Sequence, residues 1–326
     1  MINNTLKKVV VLSDLDGTWL SKNAENRRKL DEGIGEMRDE FRAQGIDLHI
    51  GYITARPPVR VASENLPTPD WVVTDNGASI HQGSCGQLEG GQFVVAPEFE
   101  AWRQRNLASH FDSQAGNAQA RELLKKPEFQ NLQMHTVGEV VHNPAADANP
   151  FISHLCFDDS SIQLTAGEKR DSNGNNVPDI FEKETFQIPT QVDKFSHELQ
   201  AKLRVSGADV HFSQVYPFSG QPIVMFDVST AVADKGHAVD FIRHEENIPT
   251  NQLIVCGDGG NDISMMRGLD GSDDGRRAIV VGGEKELYDQ AGKLHNALLQ
   301  PGDLDCSLGV LSGIRHHLEE IVAGKN

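Results

Sequence analysis

Apolar runs and apolar periodicities alternate along the first eighty residues of the chain. Val9 to Leu12 is a short continuous apolar run, the pattern of a strand buried on both faces. Asn26 to Gln44 follows, where Leu30, Ile34, Met37 and Phe41 recur at steps of four, three and four. This spacing predicts an amphipathic helix stopped by Gly45. Ile46 to Ile53 is a second apolar run, and Pro57 and Pro58 stand where a following helix would open. Strand, helix and strand at this spacing predict a right-handed crossover unit of a parallel sheet. Trp71 to Thr74 adds a third short strand, closed by the turn signal Asp75-Asn76-Gly77.

The pattern changes between about Ser84 and about Ser229, where turns are frequent and the pieces Ser84 to Gly91 and Asn143 to Pro150 look irregular. Helices are predicted over Pro97 to His110 and over Thr190 to Arg204, the second with Val192, Phe195, Leu199 and Leu203 on one face. Phe151 to Phe157, Val210 to Tyr216 and Pro222 to Val228 read as strands. Helices beside roughly antiparallel strands predict an α+β module inserted into the first domain. The parallel pattern then resumes. Asp234-Lys235-Gly236 opens a helix bearing Val239, Phe241 and Ile242, and Leu253 to Cys256 is a buried strand. That strand runs into Gly257-Asp258-Gly259-Gly260-Asn261-Asp262, after which Ile263 to Arg267 is expected to start another helix. Ala278 to Val281 is a further strand and Gly309 to Val322 a closing helix. The fold class is therefore α/β: a Rossmann-like, doubly wound parallel sheet from residues 1–83 and 230–326, with the α+β module at 84–229 between its halves.

Composition narrows the partners. Among 326 residues, 47 are acidic and 30 basic, giving a formal charge of -17 with no Lys/Arg-rich block. A nucleic-acid backbone or an anionic membrane surface needs clustered positive charge, so neither is an expected partner. Cys85, Cys156, Cys256 and Cys306 lie far apart without a C-x-x-C pair, which suits a reducing compartment, offers no zinc spacing and makes small core residues their expected role. With no signal-peptide pattern and no run of eighteen apolar residues, a soluble cytoplasmic protein is expected.

The candidate chemistry sits at the predicted strand ends. Ser13-Asp14-Leu15-Asp16-Gly17-Thr18 places two carboxylates, one residue apart, at the end of the first strand, with a glycine that lets the backbone turn over an anion. Singly, such an Asp-Gly is also a common turn, Thr54 a strand-end residue and Lys235 a solvated helix start. As an ordered set, Asp14/Asp16, Thr54, Lys235, and Asp258 with Asn261 and Asp262 all fall where an open parallel sheet converges on one crevice. Phosphoryl transfer needs charge neutralised on the non-bridging oxygens, an in-line nucleophile and a proton donor for the leaving oxygen. Carboxylates with one Mg²⁺ ion supply this, and Asp14, the Asp16 carbonyl and Asp258 suit a hard cation that keeps several waters.

In type and order these segments resemble the four motifs of the haloacid dehalogenase superfamily of phosphohydrolases. The resemblance covers about the first 80 residues and everything after about residue 230. It implies that Asp14 is a nucleophile forming an aspartyl-phosphate and that Asp16 is the general acid and then base. It implies further that Thr54, Lys235 and main-chain N–H groups near Leu15 and Asp16 hold the phosphoryl oxygens, that Asp262 orients Lys235, and that Asn261 stands in the outer shell of the Mg²⁺ ion. Roughly 150 residues separate Gly77 from Lys235, room for a cap like that of the class IIB members. Asp70 to Ile80, with its strand and Asn-Gly-Ala, is similar to the same group and leans toward its sucrose-phosphate phosphatase branch. The substrate implied is a small phosphorylated metabolite, a sugar phosphate first, with Arg56 and Asn76 at its edge. A phosphosugar mutase using the same aspartyl-phosphate, or a binding protein on a retired scaffold, are the rival readings. Two departures stand out: Thr54-Ala55-Arg56 replaces the usual Thr-Gly-Arg, and Gly282-Gly283-Glu284 replaces Gly-Asn-Ala.

Three features lie outside this set. Asp171-Ser172-Asn173-Gly174-Asn175-Asn176-Val177-Pro178-Asp179 places oxygen side chains at alternate positions and resembles the calcium loops of thrombospondin-type repeats, although a polar Asn-Gly turn explains it as well. His316 and His317, beside Arg315, are expected on a solvated helix face. Phe99 and Trp102, on a helix of the inserted module, read as core.

Overall fold

The structure is a computed structural model that describes residues 6–83, 88–89, 92–93, 95–106, 112–140, 142–158, 164–166, 168–170, 176–178, 184–186, 190–203, 208–218, 221–230, 233–282 and 285–325. The chain opens with β1 (Lys7–Ser13), α1 (Ala24–Arg42), β2 (Ile46–Ile53), the short α2 (Pro58–Ala62), β3 (Trp71–Thr74) and β4 (Ser79–Gln82). A small hairpin of β5 (Leu88–Glu89) and β6 (Gln92–Phe93) leads to α3 (Pro97–Asn106) and α4 (Ser113–Leu123). Then come β7 (Gln133–Thr136), α5 (Val137–Val140) and β8 (Ile152–Asp158). β9 (Leu164–Ala166), β10 (Glu168–Arg170), β11 (Asn176–Pro178) and β12 (Glu184–Phe186) form two small antiparallel pairs. α6 (Thr190–Leu203) and the long hairpin of β13 (Ala208–Phe218) and β14 (Gln221–Thr230) complete the insert. The chain closes with α7 (Lys235–Glu245), β15 (Leu253–Gly257), β16 (Arg277–Val280), α8 (Lys285–Ala291), β17 (Ala297–Leu299) and α9 (Cys306–Val322).

The main sheet runs β17-β16-β15-β1-β2-β3-β4. All of its pairs are parallel except β3 with β4, so the sheet carries an antiparallel edge strand. β1 is central because both of its neighbours are in register with it, Val10 facing Leu253 on one side and His49 on the other. Its alternate residues feed two cores. Val9 and Val11 join Leu30, Ile34, Met37 and Phe41 of α1 and Val310, Ile314 and Leu318 of α9. Val10 and Leu12 join Val239 and Ile242 of α7 with Met265 and Met266. Each large apolar side chain so buried contributes roughly 1.5–3 kcal/mol relative to exposure. The insert has its own antiparallel sheet, β13-β14-β8-β7, whose Leu155, Phe157, Val224 and Phe226 pack against Val192, Phe195 and Leu199 of α6.

Several expectations change in detail. α1 starts two residues early because the Asn23 side chain accepts from the Glu25 and Asn26 amides and caps it. The segment expected to start a helix at Ile263 to Arg267 is instead the end of a 3-10 turn over Gly260–Met266, after which Arg267 is extended. α3 does not serve the insert's core: Phe99 is fully buried in the main sheet's cluster, 5.1 Å in edge-to-face contact with Phe241 of α7. His317 is not solvated. It is 2 % exposed, with Nε2 3.3 Å from the Ala278 carbonyl, while His316 does face solvent. Burial and the nearby Arg277 lower the His317 imidazole, so it sits there neutral. Cys156 and Cys256 are buried and Cys306 half-buried. Of the calcium-like stretch, residues 171–175 and 179 lie outside the described residues, as do 283–284 of the Gly-Gly-Glu segment. No helix among the described residues is long and apolar enough to cross a membrane.

Candidate active site

Each candidate side chain is delivered by the end of a core strand or the start of a helix. β1 runs on by one hydrogen bond, Asp14 N to Cys256 O at 2.9 Å, and the chain then turns through Gly17 at φ +76°. Trp19, fully buried behind the turn, donates its amide to the Asp14 carbonyl at 3.3 Å. Asp14 is thereby fixed at the sheet's carboxyl edge, 5 % exposed. β2 ends at Ile53 and is followed at once by Thr54, whose amide donates to Val73 O and whose hydroxyl accepts from the Arg56 amide at 3.1 Å. Asp234 caps α7 by accepting from the His237 amide, which places Lys235 at the first helical position, 1 % exposed.

These residues meet. Lys235 Nζ lies 2.6 Å from Asp14 Oδ1 and 2.6 Å from Asp262 Oδ1. The second oxygen of Asp262 accepts from the Asp258 and Gly259 amides at 2.8 and 2.9 Å, so this fully buried carboxylate is engaged on both sides. Gly257 makes that tuck possible: a Cβ there would sit 2.5 Å from the Asp262 Cβ. Thr18, for which the sequence suggested no role, donates its hydroxyl toward Asp14 Oδ2 (3.3 Å) and Asp258 Oδ1 (3.1 Å). Asn261 is exposed on the same turn. Asp16 stands slightly apart, with both oxygens held by Arg56, at 2.7 Å from Nε and 2.5 Å from Nη2. Arg56 is held in turn by Glu64 at 2.5 Å, a partner with no sequence signal. Asn76 reaches away from the core, donating to Asp227 of β14.

The electrostatics follow from crowding. Burial, joined by Asp262, Asp258 and Asp16, raises the Asp14 carboxyl well above its ordinary range despite the opposing pull of Lys235. Burial alone would lower the Lys235 ammonium, but Asp14 and Asp262 more than reverse this, so the lysine stays charged. Ligand atoms of Asp14, Asp258 and Asp262 lie within 4.8 Å of one another. Three clustered buried carboxylates, two of them paired with one ammonium, are an oxygen-only donor set with negative charge to spare, and this fits a hard divalent cation. Asp262 already serves Lys235 and two amides, which leaves Asp14 and Asp258 as the ligands with capacity.

A doubly wound sheet with this cluster at its carboxyl edge, and an α+β lobe inserted after β4, has the fold of the haloacid dehalogenase subclass IIB sugar phosphatase BT4131, which it matches at 16 % identity and a TM-score of 0.51, over 94 % of this chain and 98 % of that one. The chain belongs to the family of the Sucrose-6F-phosphate phosphohydrolase model, which matches residues 7–123 and 183–318. It is similar to the sucrose-phosphatase of Synechocystis sp. PCC6803, solved with sucrose and phosphate. The two share 21 % identity and a TM-score of 0.60, over 96 % of this chain and 98 % of that one. A haloacid dehalogenase-like hydrolase from Bacillus subtilis is similar at 15 % identity and a TM-score of 0.52, over 96 % of each chain. A HAD-like hydrolase of Nitrosococcus oceani is 20 % identical over 289 residues, 86 % of this chain. The chain spans 60 % of the length of that curated relative.

Proposed function

We propose that the chain is a Mg²⁺-dependent phosphatase that hydrolyses the phosphate monoester of a small polar metabolite, a sugar phosphate first among them. The observation that carries this reading is the buried cluster of Asp14, Lys235, Asp258 and Asp262 at the carboxyl edge of the sheet. The family and the sucrose-and-phosphate complex of the Synechocystis relative support the sugar. Asp14, Asp258 and the Asp16 main-chain carbonyl would hold Mg²⁺, which when bound neutralises charge on the phosphoryl oxygens.

The remaining chemistry belongs to the side chains. A carboxylate oxygen of Asp14 attacks phosphorus in line, forming the Asp14 O–P bond as the P–O bond to the alcohol breaks. Lys235 and the Thr54 hydroxyl hold the phosphoryl oxygens, and Asp262 keeps the ammonium aimed. Asp16 gives its proton to the leaving oxygen, then takes one from the water that attacks the same phosphorus and frees Asp14. For this Asp16 must leave Arg56, and a phosphorylated substrate entering the site gives the guanidinium another anion to hold. On this reading residues 84–229 form the cap that selects the alcohol by what they present on closing.

Phosphate release should be measured across a panel of sugar phosphates that includes sucrose-6F-phosphate, with Mg²⁺ and with EDTA. Release from one or a few members, falling to the uncatalysed background in EDTA and restored by added Mg²⁺, is the expected outcome. Turnover indifferent to EDTA would contradict the metal assignment, and an isomerised product without free phosphate would point to a mutase instead.

A further inference from the structure

A second buried charged cluster lies between the core and the inserted lobe, and the phosphoryl chemistry leaves it unused. His154 of β8 is 3 % exposed and both of its ring nitrogens face carboxylates. Nδ1 is 2.6 Å from Asp227 Oδ1 on β14, and Nε2 is 3.2 Å from Asp75 Oδ1 just beyond β3. A neutral imidazole has one N–H only, so carboxylates on both nitrogens match the imidazolium. Burial opposes that charge, but Asp227 and Asp75 outweigh it and push the imidazole up to about 10. The two acids are themselves tied: Asp75 Oδ2 accepts from Asn149 Nδ2 at 2.9 Å, and Asp227 Oδ2 accepts from Asn76.

The loop that His154 grips touches both phosphate-binding segments. Asp75, Asn76 and Gly77 have φ of +53°, +54° and +98°, left-handed values that non-glycine residues hold only where the surroundings over-determine them. The Asp75 amide donates to the Arg56 carbonyl at 3.0 Å and the Asn76 amide to the Thr54 carbonyl at 3.1 Å. Gly77 lies so close to α7 that a Cβ there would be 2.2 Å from Asp234 O and 3.2 Å from Lys235 N. One loop therefore braces the backbone of Thr54 on one side and that of Lys235 on the other.

We propose that His154 is a positioning residue: through Asp75 and Asp227 it ties the cap to the loop behind Thr54 and Lys235, so that seating of the cap sets the grip on the phosphoryl group. The inference rests on the phosphatase reading above for the identity of that group. It makes the two lobes one device, because β8 and β14 belong to the insert while the loop they hold belongs to the core. Loss of the strut should therefore be felt more in kcat than in KM, since the phosphoryl grip tightens in the transition state.

His154→Gln removes the imidazolium and Asp227→Asn one of its two carboxylates, and each keeps a polar side chain. Ser153→Ala is the control, because Ser153 is a buried neighbour on the same strand whose hydroxyl bonds Asn117 of α4 instead. Amide hydrogen exchange in the full-length protein reads the loop directly, and peptides spanning residues 74–78 should exchange about tenfold faster in both test variants than in wild type. Mg²⁺-dependent hydrolysis of p-nitrophenyl phosphate, measured below the melting temperature of every variant, should show kcat lower by about 10- to 100-fold. KM should change less than kcat, and Ser153→Ala should match wild type in both assays. Unchanged loop protection overturns the proposal, and so does faster exchange with kcat intact, which would leave the cluster a fold strut only. If wild type released no phosphate from any monoester, the functional reading would fall, and the exchange measurement would still decide whether His154 holds the loop.

Discussion

Replacing Asp14 with Asn is expected to lower kcat on the order of 10⁴-fold or more, as loss of a nucleophile does when the rest of a site is intact. The melting temperature should stay at or above that of wild type. The reason lies in the crowding: Asp14 is buried among other carboxylates that raise its carboxyl well above the ordinary range, so its ionised form is held against its own preference. Asn keeps the shape and removes the charge, and Lys235 retains Asp262 at 2.6 Å. Paired measurement of steady-state kinetics and thermal unfolding separates the loss of chemistry from the loss of fold. A large drop in melting temperature would show that Asp14 is a structural ion-pair partner first.

Lys235→Met should behave in the opposite way, costing both stability and activity. The ammonium is the group that Asp14 and Asp262 share, at 1 % exposure, and its removal leaves buried carboxylates facing one another. Breaking a buried pair from one side destabilises by about 3–5 kcal/mol. Turnover should fall on the order of 10²–10³-fold, the scale of losing one donor to the developing oxyanion charge. The double variant Asp14→Asn/Lys235→Met is the informative companion. It removes one of the stranded charges, so Asp14→Asn should raise the melting temperature more in the Lys235→Met background than it does in wild type, a non-additivity expected of groups in direct contact. An equal effect of Asp14→Asn in both backgrounds would mean that the two side chains do not share one electrostatic site.

Much of this site was legible because each of its residues follows a local signal. A strand ending in Asp-x-Asp-Gly, a strand ending in Thr, and a helix opening on Asp-Lys-Gly have places in a doubly wound sheet that are fixed by topology, and topology alone brings Asp14, Lys235, Asp258 and Asp262 to one edge. What stayed hidden depends on distant pairings. His154 meets Asp75 across 79 positions and Asp227 across 73, and no periodicity in any one segment announces such a triad. The Arg56 hold on Asp16 is of the same kind, as is the role of Glu64 behind it. Ile263, Met265 and Met266 have the apolar content of a helix, yet the backbone is tightened by Asp262 and released at Arg267, so the segment ends as a 3-10 turn. The apolar character of Phe99 marks it as core, but which core it joins is decided by Phe241, 142 positions further on.

If Asp14 itself carries the phosphoryl group, the adduct can be read from the protein directly. The enzyme should be mixed with Mg²⁺ and whichever monoester of the panel turns over fastest, quenched in acid within the first turnovers, digested and mapped by mass spectrometry. The expected result is the mass of one phosphoryl group on the peptide that contains Asp14, absent without Mg²⁺ and absent in Asp14→Asn. Steady turnover with that peptide unmodified at every quench time, or with the phosphoryl group on another residue, would contradict it.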